Sequence, residues 1–403
     1  MLIIFATHPI QYQVPLWRKM TEAGIKLEVW YFTDFGLKDS YDVQFGKSFS
    51  WDLPMLEGYA YRFIKTNAGA APNQGFKNCR IAENIKDKLK SARATHVYIN
   101  GWHIMAYWQA LWTAKALGLK TIFKGESNDL KPESKWKWPL KKLILTSFFR
   151  RIDYFLYIGE ANKRLYQKYN IPDHKLLPGL YCIENDRFFE QSLKANNQKA
   201  ILRNKWGVPT DAFCILFSGK FISKKRPVDI VLAAEKIIKN PSIKNKIHLL
   251  FVGDGLLYED IASRVNVVYD KEKGLINHFT KDRVNASFTG FINQMEIPIC
   301  YAIADCLILP SDYGETWGLV ANEAMATGLP VIISSQCGSA EDLLKPILPK
   351  LVFETGNINS LQRAVEWLIL NGFKKKQVLD HIQKYCYSST INSTLAILTD
   401  AVK

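Results

Sequence analysis

No apolar run in this sequence approaches the roughly 20 residues that a membrane-spanning helix needs, so no such helix is expected. There is no basic leader ahead of an apolar core either. Residues 1–6 (Met-Leu-Ile-Ile-Phe-Ala) are too short for a signal peptide and read as a first buried strand. Cysteine is sparse and unpatterned. The seven residues, Cys79, Cys182, Cys214, Cys300, Cys306, Cys337 and Cys386, are odd in number and show no C-x-x-C spacing. That argues against a disulfide framework and a zinc site, and fits buried free thiols in a reducing cytoplasm. Acid is the other shortage: 38 Asp and Glu face 53 Lys and Arg, a net charge of +15. An excess of this size points to an anionic partner, whether nucleic acid, a membrane surface or a phosphorylated substrate. No recognised nucleic-acid module accompanies it, so nucleic acid is not expected.

What is present is an alternation of short apolar runs with longer amphipathic ones. Strands are expected at 2–6, 26–32, 96–99, 120–123 and 153–158, separated by helices near 16–23, 81–92, 106–117 and 160–169. A second series follows with strands at 213–218, 248–252, 287–290, 304–309 and 331–333. Such β–α alternation implies parallel sheets, and 403 residues suffice for two domains of this α/β class. The boundary is expected near 189–197, where polar residues accumulate, giving domains 1–192 and 193–382. Residues 33–71 read as irregular and aromatic, with Tyr41, Phe45, Phe49, Trp51, Tyr59 and Tyr61 forming either an acceptor groove or a satellite apolar cluster.

The most informative stretch is Gly314-Glu-Thr-Trp-Gly-Leu-Val-Ala-Asn-Glu-Ala-Met-Ala-Thr-Gly-Leu-Pro-Val331. It follows a buried strand and a turn-rich loop, and it contains a helix over 319–327 that Gly328 and Pro330 stop. The loop therefore lies at the carboxyl end of a strand, where α/β sheets bind ligands. Gly318 permits close backbone approach, and the open amides of Gly318, Leu319 and Val320 form an anion site with the helix dipole. Glu315 and Glu323 beside such a site make sense if they hold hydroxyls, and a nucleotide sugar supplies both phosphates and hydroxyls. A plain βαβ turn with two solvated acids is the alternative.

This stretch resembles the signature of family 4 retaining glycosyltransferases of the GT-B fold, and the resemblance extends over nearly the whole chain. It implies two Rossmann-like domains facing each other across a cleft, with a final helix, about 383–403, crossing back to the first. It implies that Glu315 contacts the donor sugar near its reacting carbon and Glu323 the ribose hydroxyls, with Thr316 and Trp317 lining the donor. Gly219-Lys-Phe-Ile-Ser-Lys-Lys-Arg-Pro227 resembles the family's Gly-Arg-x4-Lys-Gly loop, whose two cations clamp the diphosphate. Lys220 replaces the arginine, keeping charge but losing bidentate geometry; Lys225 keeps the lysine, and Arg226 stands where glycine is usual. Gly290, Phe291 and Ile292 match a segment that cradles the base through backbone groups. The resemblance implies retention of configuration and neither metal nor other cofactor.

In the first domain the chain departs from the family. The usual glycine-rich turn after strand one is replaced by Thr7-His-Pro-Ile-Gln-Tyr-Gln13, similar to a sub-branch acting on cell-surface polysaccharides. His8, Gln11 and Tyr12 are candidate sugar contacts, or simply polar residues of a Pro-braced loop. The family's cleft histidine is missing: Lys124 or Gly125 stands in its place. His103, at the end of the preceding strand, is the candidate substitute, with Lys124 and Glu126 as acceptor or phosphate contacts. Residues 131–151 interleave Trp136 and Trp138 with lysines, and Leu140, Leu143, Ile144 and Phe148 share a helical face. That suits either an interfacial helix on anionic lipid or an ordinary helix packed on the sheet. The expected function is sugar transfer from a UDP- or GDP-sugar to a glycan or lipid-linked glycan. A sugar-nucleotide epimerase or hydrolase, a non-catalytic sugar-nucleotide-binding protein and a polyanion-binding protein are the alternatives.

Overall fold

A strand covered on both faces has no reason to alternate, and Leu2–Ala6 (β1) does not: all five side chains are buried. The computed structural model describes residues 1–37, 40–42, 47–49, 51–67, 75–132, 136, 138–276, 280 and 282–400, with backbone alone at 40–42 and 47–49. The first sheet comprises β1, Leu27–Tyr31 (β2), Ala60–Phe63 (β3), His96–Ile99 (β4), Lys120–Phe123 (β5), Tyr154–Tyr157 (β6) and Leu176–Pro178 (β7). Its order is β3-β2-β1-β4-β5-β6-β7, with every pairing parallel. Val14–Glu22 (α1) buries Trp17 and Met20 on one face; Met105–Ala116 (α2) and Trp138–Phe149 (α3) bury Tyr107, Leu145 and Phe148 on the other.

The second sheet comprises Ala212–Ser218 (β8), Lys246–Val252 (β9), Asn266–Asp270 (β10), Gly274–Leu275 (β11), Asn285–Gly290 (β12), Cys306–Leu309 (β13), Val331–Ser334 (β14) and Val352–Phe353 (β15). The order is β11-β10-β12-β9-β8-β13-β14-β15, and only the β10–β11 edge is antiparallel. Helix Asn185–Asn196 (α4) packs on Ile297–Ile303 (α5) and Val320–Ala326 (α6), and those two helices pack against the sheet.

The chain divides into two compact units, one of Met1–Ser40, Phe49–Tyr181 and Tyr387–Lys403, the other of Tyr41–Ser48 and Cys182–Cys386. The division falls at 181/182 rather than near 192. The reason is α4, whose apolar side, with Phe188 and Ala195 buried, packs on α5 and α6 of the second unit. Tyr387–Leu398 (α7) packs in the first unit on α1 and β7, with Ile397 buried in the core below β1.

Residues 33–71 also differ from the irregular stretch expected, since they contain the edge strand β3. Among the aromatics named there, Tyr59 is core: its hydroxyl lies 2.8 Å from that of Tyr31 and donates to the Met55 carbonyl at 2.7 Å. The side chains of Tyr41, Phe45 and Phe49 lie outside the described residues. All seven cysteines are free thiols, six of them buried and Cys386 half-buried.

Candidate functional site

In the second sheet, β8 has β9 on one side and β13 on the other, so the chain reverses its direction of winding at the β8–β13 pair. Ligands of open α/β sheets bind outside the carboxyl ends of the strands at such a point. The two loops that leave there are residues 219–227 and 310–319. They are tied together: the Asp312 amide donates to the Lys224 carbonyl at 2.9 Å, and Lys225 Nζ forms an ion pair with Glu315 Oε2. Both side chains of this pair are about 15% exposed, and Ser311 Oγ lies 3.5 Å from the same carboxylate oxygen. The structure thus brings Lys225 and Glu315, 90 residues apart in sequence, into one charge-matched contact.

The loop floor depends on glycine. Gly219 N donates to Val252 O, Phe221 N to Asp254 O and Gly253 N to Gly290 O, each at 2.9 Å. These bonds draw the ends of β8, β9 and β12 so close that a Cβ on Gly253 would stand 2.0 Å from the Gly219 carbonyl oxygen. Lys220, Phe291 and Ile292 are half-buried at the rim of this floor. Arg226 occupies the left-handed region, φ 49° and ψ 43°, the conformation for which a glycine is the easier residue. Its guanidinium grips Asp229 at 2.7 and 3.2 Å, which offsets that cost.

After Glu315 the chain turns at Gly318, φ +92°, where a Cβ would meet Leu309 Cδ2 at 2.5 Å. Trp317 is buried and gives its indole N–H to Asn322 Oδ1 at 2.8 Å, so its side chain pegs the turn. Thr316, Leu319 and Val320 are half-buried. Ala321 N bonds back to Gly318 O and Glu323 N to Leu319 O, so the amides of Gly318, Leu319 and Val320 precede the helical ladder.

Glu323 is buried on α6 and accepts a hydrogen bond from the Tyr301 hydroxyl. Burial pushes its carboxyl up to about 7, against the pull of Tyr301, Arg187 and Gln294. Arg187 on α4 donates to the Gln294 carbonyl at 2.8 Å and to Glu184 at 3.0 Å, and so closes the cluster. A carboxyl raised in the native state favours folding while it is protonated in both states, and this advantage is lost as pH rises through the native value. The window runs from the ordinary 4.5 to about 7. In chemical unfolding, Glu323→Gln is therefore expected to gain on wild type as pH rises through that window, by on the order of 3 kcal/mol at the upper end. Parallel pH profiles would instead mean that Glu323 is ionised in the folded protein.

The first sheet has its own reversal point, between β1 and β4, and the predicted first-domain residues gather at the ends of the neighbouring strands. Tyr12 donates to Glu126 Oε1 at 2.9 Å, and Tyr181 donates to the same oxygen. Lys124, nearly buried, stands 5.6 Å over the Tyr181 ring, and that ring meets Tyr12 edge-on at 5.6 Å. Burial and the Glu126 charge raise both tyrosines well above their ordinary range, so both stay donors. His8 packs edge-on against Phe35, and burial lowers its pKa to about 4, leaving it neutral. Its Nδ1 is buried without a partner among the described residues. Gln11 is half-buried on the same loop. His103 keeps part of its surface in water, while packing lowers its pKa against the opposing pull of Glu126.

Sequence reasoning missed Tyr181, Tyr301, Arg187 and Asp312. An aromatic hydroxyl in an apolar segment looks like core until its partner is known. The Asn185-Asp-Arg-Phe188 segment was the one usable signal for Arg187.

Residues 198–384 match the family model described as glycosyl transferases group 1. Lipopolysaccharide 1,2-N-acetylglucosaminetransferase of Salmonella typhimurium is 28% identical over 197 residues, 48% of this chain and 49% of that enzyme. The chain spans about half the length of the curated relatives it matches. Among solved structures, a glycosyltransferase from Rickettsia africae superposes with a TM-score of 0.69 at 14% identity, covering 100% of this chain and 98% of that one. Anabaena HepE, solved with UDP and glucose, gives 0.66 at 12% identity, covering 99% of each. These likenesses define the fold: two parallel-sheet α/β units of the GT-B type.

Proposed function

We propose, from the match of residues 198–384 to glycosyl transferases group 1, that the chain is a retaining glycosyltransferase. In this reading it moves a sugar from a nucleoside-diphosphate sugar to a glycan acceptor of the cell surface, on the cytoplasmic side. The observation that carries it is the Lys225–Glu315 pair at the winding reversal of the second sheet. A diphosphate entering between loops 219–227 and 310–319 offers Lys225 a stronger partner than one carboxylate. Glu315 is then released toward the donor sugar.

The bond from the anomeric carbon to the diphosphate oxygen breaks, and its electrons leave with the diphosphate. Lys220, Lys225 and the amides of 318–320 receive that charge, which is preorganised electrostatic stabilisation. Glu315 orients the sugar and offsets positive charge at the anomeric carbon. The acceptor hydroxyl oxygen bonds that carbon, and its proton departs with the diphosphate. Glu323 holds the ribose hydroxyls, and the backbone of Gly290, Phe291 and Ile292 borders the base. In the first unit, Tyr12, Glu126, Tyr181 and Lys124, with His8, Gln11 and His103 around them, form the acceptor contacts. The Salmonella relative acts on lipopolysaccharide, which supports a surface glycan as acceptor, and the UDP held by Anabaena HepE supports a UDP-sugar as donor.

The test is nucleoside-diphosphate release from UDP-, GDP-, ADP- and TDP-sugars in the presence of a chelator, for wild type and Glu315→Ala. Slow hydrolysis of one donor, lost in the variant, is expected. Release that requires added metal, or that Glu315→Ala leaves intact, overturns the mechanism.

A further inference from the structure

Helix α3 is apolar on two sides, and only one of them is covered. Leu145, Phe148 and Phe149 face the first sheet, where Phe148 and Phe149 meet Phe123 at 5.7 and 5.4 Å. The opposite side carries Leu140 and Leu143, exposed at 64% and 69%, beside Ile144 at 45%. An ordinary surface helix turns lysines and acids outward at these positions. Just before the helix, Trp136 is 92% exposed. On the adjoining helix, Trp112 is also exposed and meets Trp108 edge-on at 5.9 Å, and the Trp108 ring lies 4.6 Å from that of Phe148. The apolar side is therefore widened into a patch bordered by tryptophan.

Charge decides what covers it. Residues 131–151 hold seven Lys and Arg and a single acid, Glu133; Glu133, Lys135 and Lys137 lie outside the described residues. Self-association of two identical patches would oppose the same bases on each copy, which disfavours a symmetric dimer. An anionic bilayer answers both features at once: its headgroups take the lysines and arginines, and its acyl boundary takes the leucines and tryptophans. No helix among the described residues is long and apolar enough to span a membrane, so this element lies on the surface.

We propose that α3, with Trp136 and Trp112, docks the first unit onto an anionic phospholipid surface. The loop Lys124–Asp129 joins the acceptor cluster to this helix through the next few residues of chain. Docking therefore carries Lys124 and Glu126 to the bilayer, and an acceptor attached to a lipid meets them there. That last consequence rests on the sugar-transfer reading; the docking itself does not.

The experiment is co-sedimentation of the full chain with vesicles of phosphatidylcholine, alone or mixed with phosphatidylglycerol, without donor or acceptor. Binding to the anionic vesicles alone is expected, weakening as salt rises. The double variant Leu140→Glu, Leu143→Glu is expected to lose it by about tenfold or more. Both positions are exposed, so the variant should keep its melting temperature and its response to nucleoside diphosphate. Equal binding to neutral vesicles, or undiminished binding by the variant, overturns the proposal. So does a wild-type dimer, seen in sedimentation equilibrium, that the same variant dissociates. Donor hydrolysis is scored separately, so loss of transfer with docking intact counts against the function and not the surface.

Discussion

Glu315→Ala is expected to lower sugar transfer by about a thousandfold and, separately, to lower the melting temperature of the protein free of ligand. The two effects have different sources. The first follows from the proposed position of the carboxylate beside the anomeric carbon. The second follows from the ion pair, because removing Glu315 leaves the mostly buried Lys225 ammonium without its partner. Breaking a buried pair from one side costs about 3 kcal/mol or more. A nucleoside diphosphate supplies new oxygen partners to Lys225, so it should raise the melting temperature of the variant by more than that of wild type. Nucleotide titration by calorimetry should show binding largely retained. A fully active Glu315→Ala removes the mechanism. A variant that diphosphate does not rescue removes the exchange of partners at Lys225 while leaving the carboxylate's role open to the kinetic test.

Gly253→Ala should be the most damaging single methyl in the molecule. At φ +132° the added carbon stands 2.0 Å from the Gly219 carbonyl oxygen and 2.9 Å from its carbon, both backbone atoms. No flexible side chain can move aside. The ends of β8 and β9 must part, which breaks the bonds Gly219 N to Val252 O and Phe221 N to Asp254 O. A loss of about 4 kcal/mol or more is expected, together with loss of nucleotide binding, since this is the floor beneath Lys220 and Lys225. Gly24→Ala is the control. It also has positive φ, +83°, but open space around the new carbon, so only the backbone term of about 1 kcal/mol applies. Urea unfolding of the two variants measures the difference. Similar midpoints would show that the β8 and β9 loops are looser than this packing implies.

Where chemistry is written in contiguous residues, the sequence was readable. The strand before Gly314, the turn, the short helix and the strand that begins at Val331 lie in one continuous stretch, and the structure reproduces each to within two residues. The glycine-led loop after β8 was recognisable for the same reason. What could not be read is whatever depends on two distant segments meeting. The Lys225–Glu315 pair links two loops, each of which looks self-sufficient. Tyr181 and Tyr301 look like core aromatics, and only the carboxylate opposite each gives it another role. Arg226 stands where glycine is usual, but nothing in its sequence neighbourhood says that its backbone is left-handed. α4 is polar enough in sequence to pass for a linker, although its apolar side belongs to the second unit, so the division of contacts falls before it. β3 and β10 are short strands at or next to a sheet edge, only four and five residues long, and runs of that length do not stand out from loop.

The return of α7 to the first unit means that this unit is built from both flanks of the second. Until residues 387–398 have left the ribosome, the face of the first sheet that holds Ile4, Val29 and Tyr98 lacks the helix that buries Ile397 against it. The second unit, drawn almost entirely from a continuous segment, has its whole sheet available well before that. During synthesis the order of completion is thus the reverse of the order of translation: the part that begins first finishes last, and it waits, partly uncovered, for the other to fold.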